Sequence, residues 1–198
     1  MTKTLKHQAK MDSLLEKGMM LLWSNGYNAT SVNDIVKAAE IPKGSFYFYF
    51  ESKEEFAVKA IEAYFDQMIT PVVEILKNTS ISPKQRLLNL YEYRAQVLKE
   101  ELNCKMGCLA CNVGNEMAEH SEKIRSAINE KESFVHQQIT DVVMEAQEYG
   151  EIDSSLPAAE LVAFMEDAGK GAMISMKAKQ SAEPIDNFVA IIRSTILK

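Results

Sequence analysis

The sequence predicts an all-α fold of about nine helices and no strand, with a small helix-turn-helix head and a larger helical body. Three observations carry this expectation. Apolar residues recur at helical spacing along almost the whole chain of 198 residues. The chain has only five prolines and eight glycines, and most of them fall where periodic stretches stop. Hydroxyl residues that start helices stand just ahead of several of those stretches.

The elements follow in order. Residues Lys6 to Ser24 carry Met11, Leu14, Leu15, Met19 and Leu22 on one face, and Gly26 ends that helix. Thr30 or Ser31 caps a short helix to about Ala39. Ile41-Pro42 stops it, because proline disfavours helical geometry in the residue before it. Lys43 to Phe50 make a third short helix. Ser52, with Glu55 three positions on, reads as a capping box for a long helix to about Lys77. Further helices are predicted over about 84–103, 107–118, 121–148, 158–179 and 184–197. The boundary falls near residue 52, giving a head of 1–52 and a body of 53–198 with no flexible linker between them. A shared rigid helix is expected to carry a signal from body to head.

Bulk properties narrow the function. Apolar residues make up 46% and charged residues 25%, enough for a real core with an ordinary polar surface. No apolar run approaches the ~20 residues that span a bilayer. The stretch MTKTLKHQAKMD lacks a signal peptide's apolar segment, so a cytoplasmic protein is expected. The net charge is −6, unevenly spread. Through Lys53, seven lysines face five acids, so a mildly basic head precedes an acidic body. The head has no arginine, which argues against forked arginine–guanine contacts.

The head has the parts that groove reading requires: a braced helix, a tight turn, and a second helix whose N-terminus meets the DNA. Thr30 and Ser31 offer hydroxyls to phosphate, beside the open amides of a helix start. Lys43 reaches phosphate or a base edge, Gly44 permits close backbone approach, and Ser45 is a small hydrogen-bonding residue. Tyr47 and Tyr49 can each bond a phosphate through the phenol, and Lys53 adds a charge beyond them. Val32, Ile35, Ala38, Phe46 and Phe50 are expected to form the core beneath.

On Gly26, Thr30, Ile35, Pro42-Lys43-Gly44-Ser45-Phe46-Tyr47, Phe50 and Ser52-Lys53-Glu54, the chain resembles the TetR family of bacterial regulators. The resemblance is dense over the first quarter of the chain. It implies an all-α homodimer that binds a roughly palindromic operator and usually represses, with a C-terminal domain that binds an inducer. No cofactor, no metal and no enzymatic activity are expected.

In the body, Leu161, Met165, Ala168, Ala172 and Met176 share one helical stripe. Gly169, Gly171 and Ser175 permit close helix approach. Ile185, Phe188, Ile192 and Ile196 repeat the theme in the last helix. In the family such a pair forms a four-helix dimer interface, so these residues are the expected contact. Eleven methionines are many for this length. Met68, Met106, Met117, Met144, Met165 and Met173 can line an adaptable apolar pocket or simply fill the core.

The run NCKMGCLACN holds all three cysteines, Cys104, Cys108 and Cys111. One continuous helix would put the three thiols on one face, whereas a break at Gly107 would leave only Cys108 and Cys111 together. Three readings stand: plain packing, a metal site, or a reactive thiol. The spacing matches no common zinc pattern, even with His120 as a fourth ligand. Cys108 follows Gly107 at a predicted helix start, where the helix dipole favours thiolate. An enzyme using Cys108 with His120 or His136 would need a third orienting group, and none is evident.

The segments PKGSFYFYFESKEEFAVKAIEAYF, GCLACNVGNEMAEHSEKIRSAI and EPIDNFVAII resemble the NemR-type repressors within that family. That group responds to quinones, aldehydes and hypochlorous acid. Its sensing cysteine falls on Cys108, and a lysine linked to that thiol falls on Lys177. Cys104 and Cys111 are not clearly part of the pattern and are candidates to resolve an oxidised Cys108. The expected protein is thus a repressor released from operator DNA by an electrophile acting at Cys108. The alternative is release by a non-covalent apolar ligand.

Overall fold

The computed structural model describes the chain from residue 3, with side chains described from residue 8. Among the described residues it contains nine α-helices and one π-helical turn, with no strand. The helices are α1 (Lys3–Asn25), α2 (Val32–Ala38), α3 (Lys43–Tyr49), α4 (Lys53–Leu76), α5 (Pro83–Gln96), α6 (Leu109–Met117), α7 (Glu122–Glu148), α8 (Ala158–Lys179) and α9 (Glu183–Thr195). The side chains of Lys3 and Lys6, part of the basic head, lie outside the described residues. No described helix is long and apolar enough to cross a membrane.

The chain forms two compact units, residues 1–67 with 108–131, and residues 68–107 with 132–198. Helices α4 and α7 contribute to both.

The first unit is built on aromatic packing. Phe46, Phe50 and Phe56 are fully or almost fully buried, with ring centroids 5.0 to 5.6 Å apart. Ile35, Leu14 and Leu22 close the core around them. Gly18 lets α1 cross this cluster. A Cβ there would stand 2.4 Å from Phe56 and 2.8 Å from Ile35, closer than atoms can pack. Gly26 ends α1 with a φ of +88°, which glycine adopts without strain.

Caps set the short helices. Ser31 accepts the Asp34 N–H, and the Asp34 carboxylate accepts the Ser31 N–H, a reciprocal box at the start of α2. The box predicted at Ser52 is only half present. Glu55 N–H donates to Ser52 Oγ at 3.1 Å, but the Glu55 carboxylate reaches one residue further back, to the N–H of Glu51.

The second unit packs α5, α8, α9 and parts of α4 and α7 around Leu87, Leu90, Ile139, Val143, Val162 and Met165. Arg86 is buried, donates to the Leu76 carbonyl at 2.9 Å, and pairs with Glu145 at 2.6 Å, so it closes the C-terminus of α4.

One stretch departs from the sequence reading, and Pro71 sits within a helix that the sequence reading carries to about Lys77. The helix expected over 84–103 stops at Gln96 and widens into a π-helical turn, Val97–Glu101. Asn103 and Cys104 then take left-handed backbone, at φ 49° and 58°. Asparagine tolerates that region, which turns the chain before Gly107. Pro71 lies inside α4, where it withholds the N–H that would bond the Gln67 carbonyl, yet the helix continues.

Candidate DNA-reading head and thiol site

The turn between α1 and α2 holds the head together and is anchored from both electrical ends. Lys53 Nζ donates to the carbonyls of Tyr27 and Thr30, each at 2.9 Å, and lies 4.0 Å from the centre of the Tyr27 ring. Desolvation lowers the Lys53 pKa, and the charge of Glu116 works against that. Glu116, on α6, accepts the N–H of Tyr27 at 3.0 Å and of Asn28 at 2.8 Å. Asn112, one turn earlier on α6, donates to the Trp23 carbonyl at 3.1 Å. A Cβ at Gly26 would meet Glu116 at 2.1 Å, so glycine is needed there for space as well as for backbone angle.

Three residues of the predicted DNA-binding set already have partners within the turn. Thr30 is fully buried, and its hydroxyl donates to the Gly26 carbonyl at 2.8 Å and the Leu21 carbonyl at 3.2 Å. It pins the turn and has no hydroxyl to give a phosphate. The ammonium of Lys53 is held by carbonyls inside the turn and not at an outer edge. Ser31 is exposed, but its hydroxyl donates to the Asp34 carboxylate at 2.6 Å. The three residue types were read rightly as hydrogen-bonding, and the folded turn uses that capacity itself.

The second helix presents the remaining set. Lys43 and Gly44 are exposed at the start of α3, and a Cβ at Gly44 would meet nothing within 4 Å. Tyr47 is 56% exposed, while Ser45 and Tyr49 are half-buried. Sequence reasoning passed over Phe48, which is 70% exposed and stacks edge-on against Tyr49. A phenylalanine at that exposure on a helix of seven residues is the signal that could have singled it out.

The thiols divide as a break at Gly107 requires. Gly107 has φ +67°, and Cys108 is the N-cap of α6 in extended backbone, with Cys111 in the first turn. Cys104 belongs to the other compact unit and packs against Ala95, Met176 and Ile185. Cys108 is half-buried as a residue. Its sulfur accepts from the Cys111 thiol, from Tyr64 Oη at 3.4 Å, and from the backbone N–H groups of Cys111 and Ala110. These donors, Cys111 foremost, outweigh burial and lower the Cys108 pKa from 9.0 to about 6. Tyr64 is held in place by its edge-on contact with Trp23, at 5.0 Å between centroids. Lys177 is exposed near the end of α8. No group of three or more metal-ligating side chains occurs among the described residues.

In the second unit the predicted dimer stripe faces inward. Met165, Met176 and Ile192 are buried in the core, and Leu161, Ala172 and Phe188 pack against it. Ala168 is half-buried. Phe188 lies on Gly169, where a Cβ would stand 3.3 Å from the ring. The opposite face of α8 and α9 exposes Phe164 (62%), Ile174 (57%) and Ile191 (58%). The methionines also serve separate ends, since Met165 is wholly buried and Met144 half exposed. A groove of about 460 Å³ between α5 and α9 is lined instead by charged groups, among them Glu92, Lys99, Glu100, Asp186 and Arg193.

An aromatic-cored helix-turn-helix head followed by an all-helical body defines the class of helical DNA-binding regulators. The chain belongs to the TetR family. The family model for bacterial regulatory proteins of the tetR family matches residues 14–60, and that for the tetracyclin repressor-like C-terminal domain matches residues 83–192. The transcriptional repressor DhaR of Mycobacterium sp. strain GP1 is 30% identical over 93% of this chain and 90% of its own. A regulatory protein TetR from Rhodobacter sphaeroides superposes with TM-score 0.86 at 26% identity, over 94% of this chain and 98% of that one. The reduced form of NemR from E. coli superposes with TM-score 0.82 at 27% identity, over 94% and 97%. The chain is therefore a transcriptional regulator of the TetR family, with a helix-turn-helix DNA-binding domain.

Proposed function

We propose that this regulator is a cytoplasmic repressor, released from a palindromic operator when a reactive electrophile modifies Cys108. The observation that carries the reading is the Cys108 sulfur itself, which four donors hold as thiolate near neutral pH. A thiolate is the form that attacks a quinone or an unsaturated aldehyde. The sulfur lone pair forms a bond to the electrophilic carbon, the electrons move onto the carbonyl oxygen, and solvent supplies the proton that completes the adduct. The description of a NemR structure as a reduced form fits thiol chemistry in a relative.

The path to DNA lies in one compact unit. Cys108 caps α6, and about two turns along that helix Glu116 clamps the α1–α2 turn. An adduct removes the negative charge at the helix start, where the dipole favours it, and adds bulk beside fully buried Leu109 and almost fully buried Ala110. Displacement of α6 then loosens the turn that orients α3. Residues 1–52 read DNA and residues 53–198 regulate. Lys43, Gly44, Ser45, Tyr47, Phe48 and Tyr49 meet the groove, the lysine and phenols on phosphates and Phe48 on sugar or thymine methyl. A second copy docks on the exposed face of α8 and α9.

The test is an electrophoretic shift on the operator with and without a quinone. Wild type is expected to release DNA, while Cys108→Ser binds and does not release. Normal release by that variant would sink the reading and favour a non-covalent ligand.

A further inference from the structure

We infer that Cys111 is the resolving thiol of a Cys108–Cys111 dithiol, so that hydroperoxides close a reversible internal disulfide at the start of α6, whereas carbon electrophiles leave a single adduct on Cys108. The inference rests on the reading of Cys108 as the sensing thiol. It adds a second class of reagent and a route back to the reduced state.

Position carries the argument. The sequence Cys108-Leu109-Ala110-Cys111 sets the thiols three residues apart across a helix start. Cα atoms so spaced in a helix lie roughly 5 Å apart, inside the ~4.4–6.8 Å that a disulfide spans. The same spacing within a helix would fix both Cβ directions. Here Cys108 lies outside the helix, at φ −97° and ψ 129°, so its side chain keeps the freedom to turn toward Cys111. The Cys111 thiol donates to the Cys108 sulfur, so the two sulfurs are neighbours at the helix start. Leu109 is fully buried and Ala110 almost so, which anchors the segment while the sulfurs react. Cys104 packs against Ala95, Met176 and Ile185.

The chemistry balances with a hydroperoxide as oxidant. The Cys108 thiolate attacks the terminal peroxide oxygen, the O–O bond breaks, and the alkoxide or hydroxide leaves and takes a proton from water. Cys108 is then a sulfenic acid. The Cys111 thiol gives up its proton and attacks the sulfenic sulfur, the S–O bond breaks, and hydroxide leaves with that proton as water. Two thiols lose two electrons and the peroxide gains them. A dithiol reductant reverses the step by thiol–disulfide exchange.

The experiment treats the reduced, full-length protein with equimolar hydrogen peroxide. It reads free thiols, peptide masses and operator binding before and after dithiothreitol. Wild type is expected to lose two thiols, to yield a Cys108–Cys111 peptide lighter by two hydrogens, and to recover DNA binding on reduction. Cys104→Ser is expected to do the same. In Cys111→Ser, Cys108 is expected to pass to the sulfinic acid, which dithiothreitol does not restore. Three results would each overturn the inference: Cys111 still alkylatable after oxidation, a disulfide that needs Cys104, or full recovery of oxidised Cys111→Ser. Release of Cys108→Ser by a quinone would instead remove the sensing role, and the peptide masses would still decide the disulfide.

Discussion

At the scale of residues, Cys108 depends on a partner distant in sequence. Tyr64 lies 44 positions away, and its hydroxyl is one of the donors that hold the thiolate. A lowered pKa means that thiolate dominates above about pH 6 and is lost as pH falls through it. Alkylation by iodoacetamide is therefore expected to rise through pH 6 and then level. Tyr64→Phe keeps the ring on Trp23 and removes only the donor. Its inflection is expected to move toward the ordinary thiol value, with slower alkylation at pH 6 and little loss above pH 9. The pH profile of the rate, with the melting temperature as control, checks this, and an unmoved inflection would show that Tyr64 does not support the thiolate. The Gly-Cys-Leu step and the helix start were legible in sequence because both are local. Tyr64 was not, since nothing local marks a contact across 44 residues. The partners that Thr30 and Lys53 find inside the turn were not legible for a related reason. A hydroxyl or ammonium has the same chemistry toward a phosphate as toward a carbonyl, and only the fold decides which it meets.

At the scale of elements, α6 is the component that sequence undervalued. Its start and length followed from Gly107 and the apolar spacing, but its partner did not. Glu116 uses both carboxylate oxygens, one on each of two backbone N–H groups of the α1–α2 turn. Glu116→Gln has the same shape but one acceptor, and its NH₂ group faces an N–H. Leaving that donor unmet costs about 1–3 kcal/mol. The variant is expected to melt earlier, and to bind operator roughly tenfold more weakly for each ~1.4 kcal/mol lost from the reading-competent turn. Urea denaturation and operator titration check the two effects. Unchanged operator affinity would mean that the clamp is structural and plays no part in orienting α3. Other boundaries were legible because caps are chemistry: Ser31 and Gly26 each satisfy or release specific backbone groups. The π-helical turn was not, because tertiary packing overrides the local helical preference there.

At the scale of the whole molecule, helical periodicity fixes that α8 has apolar stripes without saying which of them faces the core. Met165 and Met176, expected at a partner copy, are buried in the protein's own core, and Leu161 and Ala172 are half-buried against it. The stripe left exposed runs from Phe164 through Gly171 to Ile174, and Ile191 extends it on α9. A second copy placed there by two-fold symmetry would set each residue against its mate's surface, so one substitution acts twice. Ile174→Asp puts a carboxylate into that contact on both sides and leaves the monomer core untouched, because Ile174 is already 57% exposed. It is expected to weaken the dimer at least about a hundredfold, since desolvating two unpaired carboxylates costs several kcal/mol. The helical content should remain. Met165→Asp is the contrast, because a carboxylate in a fully buried site unfolds the domain. Sedimentation equilibrium separates the outcomes. A folded monomer from Ile174→Asp, with operator affinity lost in parallel, places the interface on the exposed stripe. A dimer that survives Ile174→Asp unchanged would move the interface off that stripe.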